Sequence, residues 1–290
     1  MLTTSIILFY AALFGLIIGS FLNVLIVRLP RVLFAEQDNL AGDTVTKVPQ
    51  RRWFGLDYLI TPGSHCVQCH QSLHWWHNVP LISWLWLRGR CAFCAAPISV
   101  RYPLIEASTA MATLFIVWHF GFNLTAGYAC VLVWGLIALS AIDLAEYILP
   151  DQLTLPLLWL GLWTNLSGTF VPLEDAVLGA IAGYVCLWLV FHLFYICTGK
   201  EGLGYGDFKL LAALGAWLGW GLLPQIILIA SLVGAVIGVG LIVLRGRDRQ
   251  APLPFGPLLA GAGSIALVYG AEINRWYLGI LGVIPRFPIE

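Results

Sequence analysis

Leu223-Pro-Gln-Ile-Ile-Leu-Ile-Ala-Ser-Leu-Val-Gly-Ala-Val-Ile-Gly-Val-Gly-Leu-Ile-Val-Leu244 contains no charged side chain. At about 1.5 Å of rise per residue, a helix of this length crosses a hydrocarbon core of about 30 Å. The rest of the chain has the same character. Of its 290 residues 60% are hydrophobic and only 10% charged, and the mean hydropathy is +0.87. Soluble domains carry about 25% charged residues, so the sequence describes an integral membrane protein. Zero formal net charge and a pI near 7.0 give no reason to expect nucleic acid as a partner.

Working outward from Leu223–Leu244, further apolar stretches lie at Ser5–Val27, Tyr102–Phe120, Leu124–Ile142, Leu153–Leu166, Ala176–Ile196, Phe208–Trp220 and Phe255–Gly270. The fold expected is all-α and polytopic, with about eight transmembrane helices. The first stretch is not a cleaved signal: it has no basic n-region, and Arg28 and Arg31 follow the apolar run. With the N-terminus outside, the inner face receives Arg28, Arg31, Lys47, Arg51, Arg52, Arg88, Arg90, Arg101, Lys200, Lys209, Arg245, Arg247 and Arg249. Only Arg275 and Arg286 of the 15 basic residues fall on the other side. Cytoplasmic segments collect Lys and Arg, so an even number of spans with both termini periplasmic is expected. The domains expected are a first helix at 1–28, a small cytoplasmic domain at 29–101, a seven-helix membrane domain at 102–270 and a periplasmic tail at 271–290.

The polar segment 29–101 is too short for a large core, and such domains are often held by a metal or by disulfides. Its cysteines read Cys66-Val-Gln-Cys69 and Cys91-Ala-Phe-Cys94, with 21 residues between the pairs. Two such knuckles predict a tetrahedral zinc site of four thiolates. A redox pair and unligated cysteines are the alternatives, while a cytoplasmic location opposes stable disulfides. His65, His70, His74 and His77 crowd the same stretch as substitute ligands. Trp75, Trp76, Trp84 and Trp86 read equally as core or as headgroup-level side chains. Cys130, Cys186 and Cys197 read as packing residues within helices.

Ionisable groups at the membrane boundary are costly and by default functional. Asp143 closes the apolar run ending at Ile142; Asp207 closes Gly199-Lys-Glu-Gly202-Leu-Gly204-Tyr-Gly206 and opens the next helix. Both reach the same face at the same depth, the geometry an aspartyl pair needs to share one proton during peptide hydrolysis. Gly204 and Gly206 are expected to admit substrate backbone and to allow positive φ. The competing readings are plain. Glycine pairs serve helix packing, an aspartate at a helix start caps it, and a transporter also keeps acidic residues in its membrane part. Asp151, after Pro150, is best read as a helix cap, with Glu146 interfacial.

The ordered set of segments resembles the bacterial type IV prepilin peptidases. Gly199 through Asp207-Phe-Lys209-Leu-Leu-Ala212 resembles the family's second catalytic motif, and Ala141-Ile-Asp143 through Leu149-Pro150-Asp151 its first. Gly19-Ser-Phe-Leu-Asn23 with Arg28-Leu-Pro30, the four cysteines, Pro97 through Pro103 with Glu106, and Pro254-Phe-Gly-Pro257 match as well. The resemblance implies an inner-membrane enzyme of two activities. It removes the basic leader of type IV prepilins or type II secretion pseudopilins at the cytoplasmic face, then methylates the new N-terminal residue, usually Phe, from S-adenosylmethionine. It implies Asp143 and Asp207 as the catalytic pair, Gly204, Gly206 and Lys209 as supporting residues, and Cys66, Cys69, Cys91 and Cys94 as the Zn2+ ligands. Many members carry an acidic residue two positions after the first catalytic aspartate, where this chain has Ala145 followed by Glu146. No strand, GxGxxG and helix succession marks a site for the methyl donor.

Overall fold

The computed structural model describes residues 2–40, 63–200, 202–245 and 253–280. Lys47, Arg51, Arg52, Arg247, Arg249 and Arg286 lie outside the described residues. The chain divides into two compact units, Met1–Ala138 and Leu139–Glu290.

The first unit is built on α1 (Leu2–Leu40) and, after the cysteine segment, α3 (Arg101–Phe120). The cysteine segment contains a 3₁₀ turn at Trp75–Asn78 and the short α2 (Ile82–Trp86). Gly15 and Gly19, four residues apart on one face of α1, let that helix lie directly on α3. A Cβ on Gly15 would stand 2.7 Å from the Cα of Ala110, and one on Gly19 2.7 Å from that of Glu106. Small residues at this spacing let membrane helices approach without side chains between them. Further along, buried Asn23 donates from Nδ2 to the Tyr102 carbonyl at 3.0 Å, so the pair runs antiparallel. The first half of α4 (Leu124–Glu146) completes the unit, with Trp134 Nε1 donating to Thr113 Oγ1 at 2.9 Å.

The second unit takes the end of α4, then α5 (Asp151–Thr164), α6 (Leu173–Thr198), α7 (Tyr205–Leu218), α8 (Leu223–Arg245) and α9 (Gly256–Ile280). Its centre is α7, in which every side chain from Asp207 to Leu218 other than Lys209 is buried. Glycines set that helix close to its neighbours. Gly179 and Gly215 lie backbone to backbone where α6 crosses α7, and a Cβ on Gly183 would meet the Leu211 carbonyl at 2.6 Å. The Trp217 ring covers Gly161 of α5, and Nε1 donates to the Leu157 carbonyl at 2.8 Å. At the far end Asn165, wholly buried, donates to the carbonyls of Ala216 and Trp217 and accepts from the N–H groups of Phe170 and Val171.

All eight expected apolar stretches are helical, and six helices among the described residues are long and apolar enough to cross a membrane. The expected stretches in α5 and α7 are shorter; each helix has 14 residues, about 21 Å at ~1.5 Å per residue. α7 is enclosed by its neighbours, so most of its length is shielded by protein. Two ends also differ from the sequence reading. α1 continues past Val27 to Leu40 with Pro30 inside it, and α9 continues past Gly270 to Ile280. Polar residues ended the apolar pattern there without ending the backbone hydrogen bonding.

Candidate functional site

Three helix ends of the second unit meet at one face. The segment from Asp143 to Asp151 leaves α4 and enters α5, the segment after Gly199 enters α7, and Gly256 opens α9. Tyr147, at φ 57°, turns the chain sharply after α4. Gly199, at φ 67°, ends α6 by donating to the Tyr195 carbonyl at 2.8 Å, the left-handed stop that glycine takes without strain.

Asp143 and Asp207 are both buried, at 6% exposure each, and they interact electrostatically. Asp143 Oδ2 accepts the Gly256 N–H at 3.0 Å. Asp207 stands at the third position of α7, and its Oδ2 accepts the Gly204 N–H at 3.2 Å, the half of a capping box that a glycine N-cap permits. Asp207 thus does cap its helix, and does so while facing a second buried carboxylate. That is not an arrangement capping alone requires.

The positive φ expected at the two glycines is not found. Neither Gly204, at φ −82°, nor Gly206 has a positive φ. Gly206 makes room instead for Leu149, whose Cβ would lie 2.6 Å from an added Cβ. Lys209 donates to both carboxylate oxygens of Asp151, at 2.6 and 2.8 Å. That pair ties the start of α5 to α7, so Asp151 is held by a lysine and not by the backbone of its own first turn; Pro150 is the N-cap. Gly256 was not among the candidates. Its signal was the Pro254-Phe-Gly-Pro257 turn directly before an apolar stretch.

In the first unit the sulfurs of Cys66, Cys69, Cys91 and Cys94 lie within 4.8 Å of one another. The two knuckles repeat the same bonds. His70 N–H reaches the Cys66 carbonyl at 2.9 Å and Ala95 N–H the Cys91 carbonyl at 3.0 Å, both with positive φ at the donor. Cys66 N–H reaches the Gln71 carbonyl at 3.0 Å and Cys91 N–H the Ala96 carbonyl at 2.8 Å. Cys66 and Cys94 Sγ are 3.8 Å apart, the edge of a tetrahedron with metal–sulfur bonds of about 2.3 Å.

The thiols are unequal without a cation. The N–H groups of Cys69 and Gln68 hold Cys66 down to about 6. The Ala96 N–H pulls Cys94 down, but burial and the sulfurs of Cys69, Cys91 and Cys66 push it up to about 11. A divalent cation removes that mutual opposition, so the donor set fits a metal. No histidine joins the cluster among the described residues. Trp84 is half-buried, its Nε1 donating to the Ile98 carbonyl at 3.3 Å, whereas Trp75, Trp76 and Trp86 are exposed. Cys130 is buried as expected, but Cys186 and Cys197 face outward on α6.

Among known proteins, residues 13–120 match the Bacterial Peptidase A24 N-terminal domain and residues 130–239 the Type IV leader peptidase family. The chain is 51% identical over 278 residues to the "Prepilin leader peptidase/N-methyltransferase" of Aeromonas salmonicida (strain A449), covering 93% of each. It is 49% identical over 270 residues to the protein of that name in Pseudomonas aeruginosa, with 93% of each covered. Against its namesake in Legionella pneumophila identity is 44% over 267 residues, covering 92% of this chain and 93% of the relative. No solved structure matches the chain. With both halves matched and near-full-length identity to these relatives, the chain belongs to the type IV leader peptidase family.

Proposed function

We propose that this multi-pass inner-membrane protein removes the leader of type IV prepilins or type II secretion pseudopilins with Asp143 and Asp207, and then N-methylates the exposed terminal residue. The peptidase and N-methyltransferase activities are those its relatives' names carry. The observation that supports the residue assignment is the pair of buried, interacting carboxylates, each fixed by one backbone N–H through Oδ2. Among the described residues, Oδ1 of each is left for water and substrate. Two interacting carboxylates in a buried site share a proton. The ionised partner takes a proton from water as its oxygen bonds to the scissile carbonyl carbon, while the protonated partner gives its proton to the carbonyl oxygen. The diol then collapses: one of its hydroxyls returns a proton to the partner that gave one up, the C–N bond breaks, and the leaving nitrogen takes the proton first accepted from water. The dyad is left singly protonated, as it began.

The finer topology is proposed on the same footing: eight passes with both termini periplasmic, the three helix ends at the cytoplasmic face, and 29–101 as a cytoplasmic domain. Lys200 and Lys209, on the face of Asp207, support that orientation. Cys66, Cys69, Cys91 and Cys94 would hold one Zn2+. Four thiolates leave no position for water, so that ion would order the domain and the aspartates would activate the hydrolytic water. S-adenosylmethionine would supply the methyl group. The described residues hold isolated bridges and no sheet, hence no dinucleotide-type pocket for it, and no residue is assigned to it.

The test is Asp143→Asn and Asp207→Asn in membranes with co-expressed prepilin, read by the mass of the product. Each variant should insert normally and leave the leader uncut, while Asp151→Asn still cleaves. Full processing by either dyad variant refutes the assignment, and a transporter would yield no shortened product at all.

A further inference from the structure

The first N–H of α9 is satisfied by Asp143. A helix begins with four N–H groups that have no partner within the helix. Here Leu258 and Leu259 both donate to the Phe255 carbonyl at 3.1 Å, and Pro257 has no N–H. Gly256 N–H goes to Asp143 Oδ2 at 3.0 Å across 113 residues of chain. The same residue also leaves room for that carboxylate. A Cβ at 256 would stand 2.6 Å from Asp143 Oδ2, 3.2 Å from its Cγ and 3.1 Å from Leu149 Cδ2. Any side chain here displaces the carboxylate or the leucine beside it. Leu149 in turn fills the space left by Gly206, next to Asp207. The three segments therefore close on one another through two glycines and one leucine.

We infer that Gly256 is a positioning residue for peptide hydrolysis: its N–H fixes the orientation of the Asp143 carboxylate, and its missing Cβ provides the room that carboxylate occupies. The peptidase site thereby extends to α9, beyond residues 130–239 that match the leader peptidase family. This rests on Asp143 being catalytic, and the variants below separate the two ideas.

Full-length enzyme in lipid nanodiscs is assayed for cleavage of prepilin and, separately, for methylation of an already shortened pilin. Gly256→Ala should lower kcat for cleavage by about 100-fold, the scale of an ångström-sized misplacement, with KM within about twofold. Methylation of the shortened pilin should persist, a readout that general unfolding would abolish. Gly261→Ala, in the same helix with nothing within 4 Å of an added Cβ, should cleave normally. The decisive variant is Leu149→Ala with Gly256→Ala, which relieves the leucine contact and leaves the carboxylate contact. It should stay as slow as Gly256→Ala alone. Recovery in the double variant would make Gly256 a packing residue and overturn the inference, as would near-normal cleavage by Gly256→Ala. If Gly256→Ala does not fold, hydrogen exchange in the cleavage-dead Asp143→Ala protein decides. The Gly256 amide should exchange at least about tenfold faster once its partner is gone, and unchanged protection overturns the inference. Normal cleavage by Asp143→Asn would instead defeat the catalytic reading itself.

Discussion

Asn165→Ala should cost stability without touching the chemistry. The side chain is 0% exposed and makes four hydrogen bonds, of 2.9, 3.1, 3.0 and 3.2 Å. Two of them satisfy carbonyls at the C-terminal end of α7, which no further helical turn can reach. The other two hold the chain that leads into α6. Alanine leaves two carbonyls and two N–H groups without these partners. At about 1–3 kcal/mol for a buried unpaired group, and with some of the four reached by water at the helix end, the loss should be about 3–5 kcal/mol. Asn165→Asp is the sharper variant: it keeps the acceptor but turns an oxygen toward the two carbonyls, and should lose at least as much. The assay is unfolding by SDS in mixed micelles, followed by near-ultraviolet circular dichroism. Because Asp207 lies at the opposite end of α7, about 15 Å away at ~1.5 Å per residue, kcat per folded molecule should change little. A loss under about 1 kcal/mol would show that Asn165 is not the anchor of α7. A large fall in kcat with unchanged stability would show that this end of the helix governs the site.

Purified protein should contain about one zinc per chain, and Cys66→Ser should lower the metal content before it lowers methylation. Full occupancy in Cys66→Ser would point to His65 or His70 as a replacement ligand. In metal-free protein at neutral pH, iodoacetamide should label Cys66, with its thiol near 6, ahead of the more exposed Cys94, with its thiol near 11; peptide mass spectrometry reads the order, and the reverse order refutes the knuckle bonding.

What was readable in the sequence follows from how local each signal is. The apolar runs located the membrane helices because solvent alone dictates them, and the CxxC spacing located the sulfur cluster because each knuckle is a local turn. Asp143 and Asp207 were readable as one constellation because alternating helices return to the same face. The small-residue spacings Gly15/Gly19 and Gly179/Gly183 stood in the sequence, but their partners did not, so the packing they serve came only with the fold. Pro150 makes Asp151 look like a cap in the sequence, while its lysine partner is 58 residues away. Gly256 was missed for the same reason at greater range, although the proline–glycine turn around it was visible.

The two carboxylates also bear on how charge is tolerated at this depth. A membrane protein has little water with which to solvate a buried ion, and an unpaired backbone N–H there is equally costly. Each aspartate meets one such N–H, Gly256 for Asp143 and Gly204 for Asp207, at the start of a helix whose dipole favours negative charge. The bonds that finish α7 and α9 are therefore the bonds that hold the proposed catalytic pair. In both helices the donor is glycine, but only at Gly256 does the close approach require one: a Cβ there would stand 2.6 Å from Asp143 Oδ2, whereas at Gly204 it would rest in ordinary contact, 3.5 Å from Asp207 Oδ2. Helix termination and site construction are one set of contacts, so a change that loosens either helix start acts on stability and on catalysis through the same atoms.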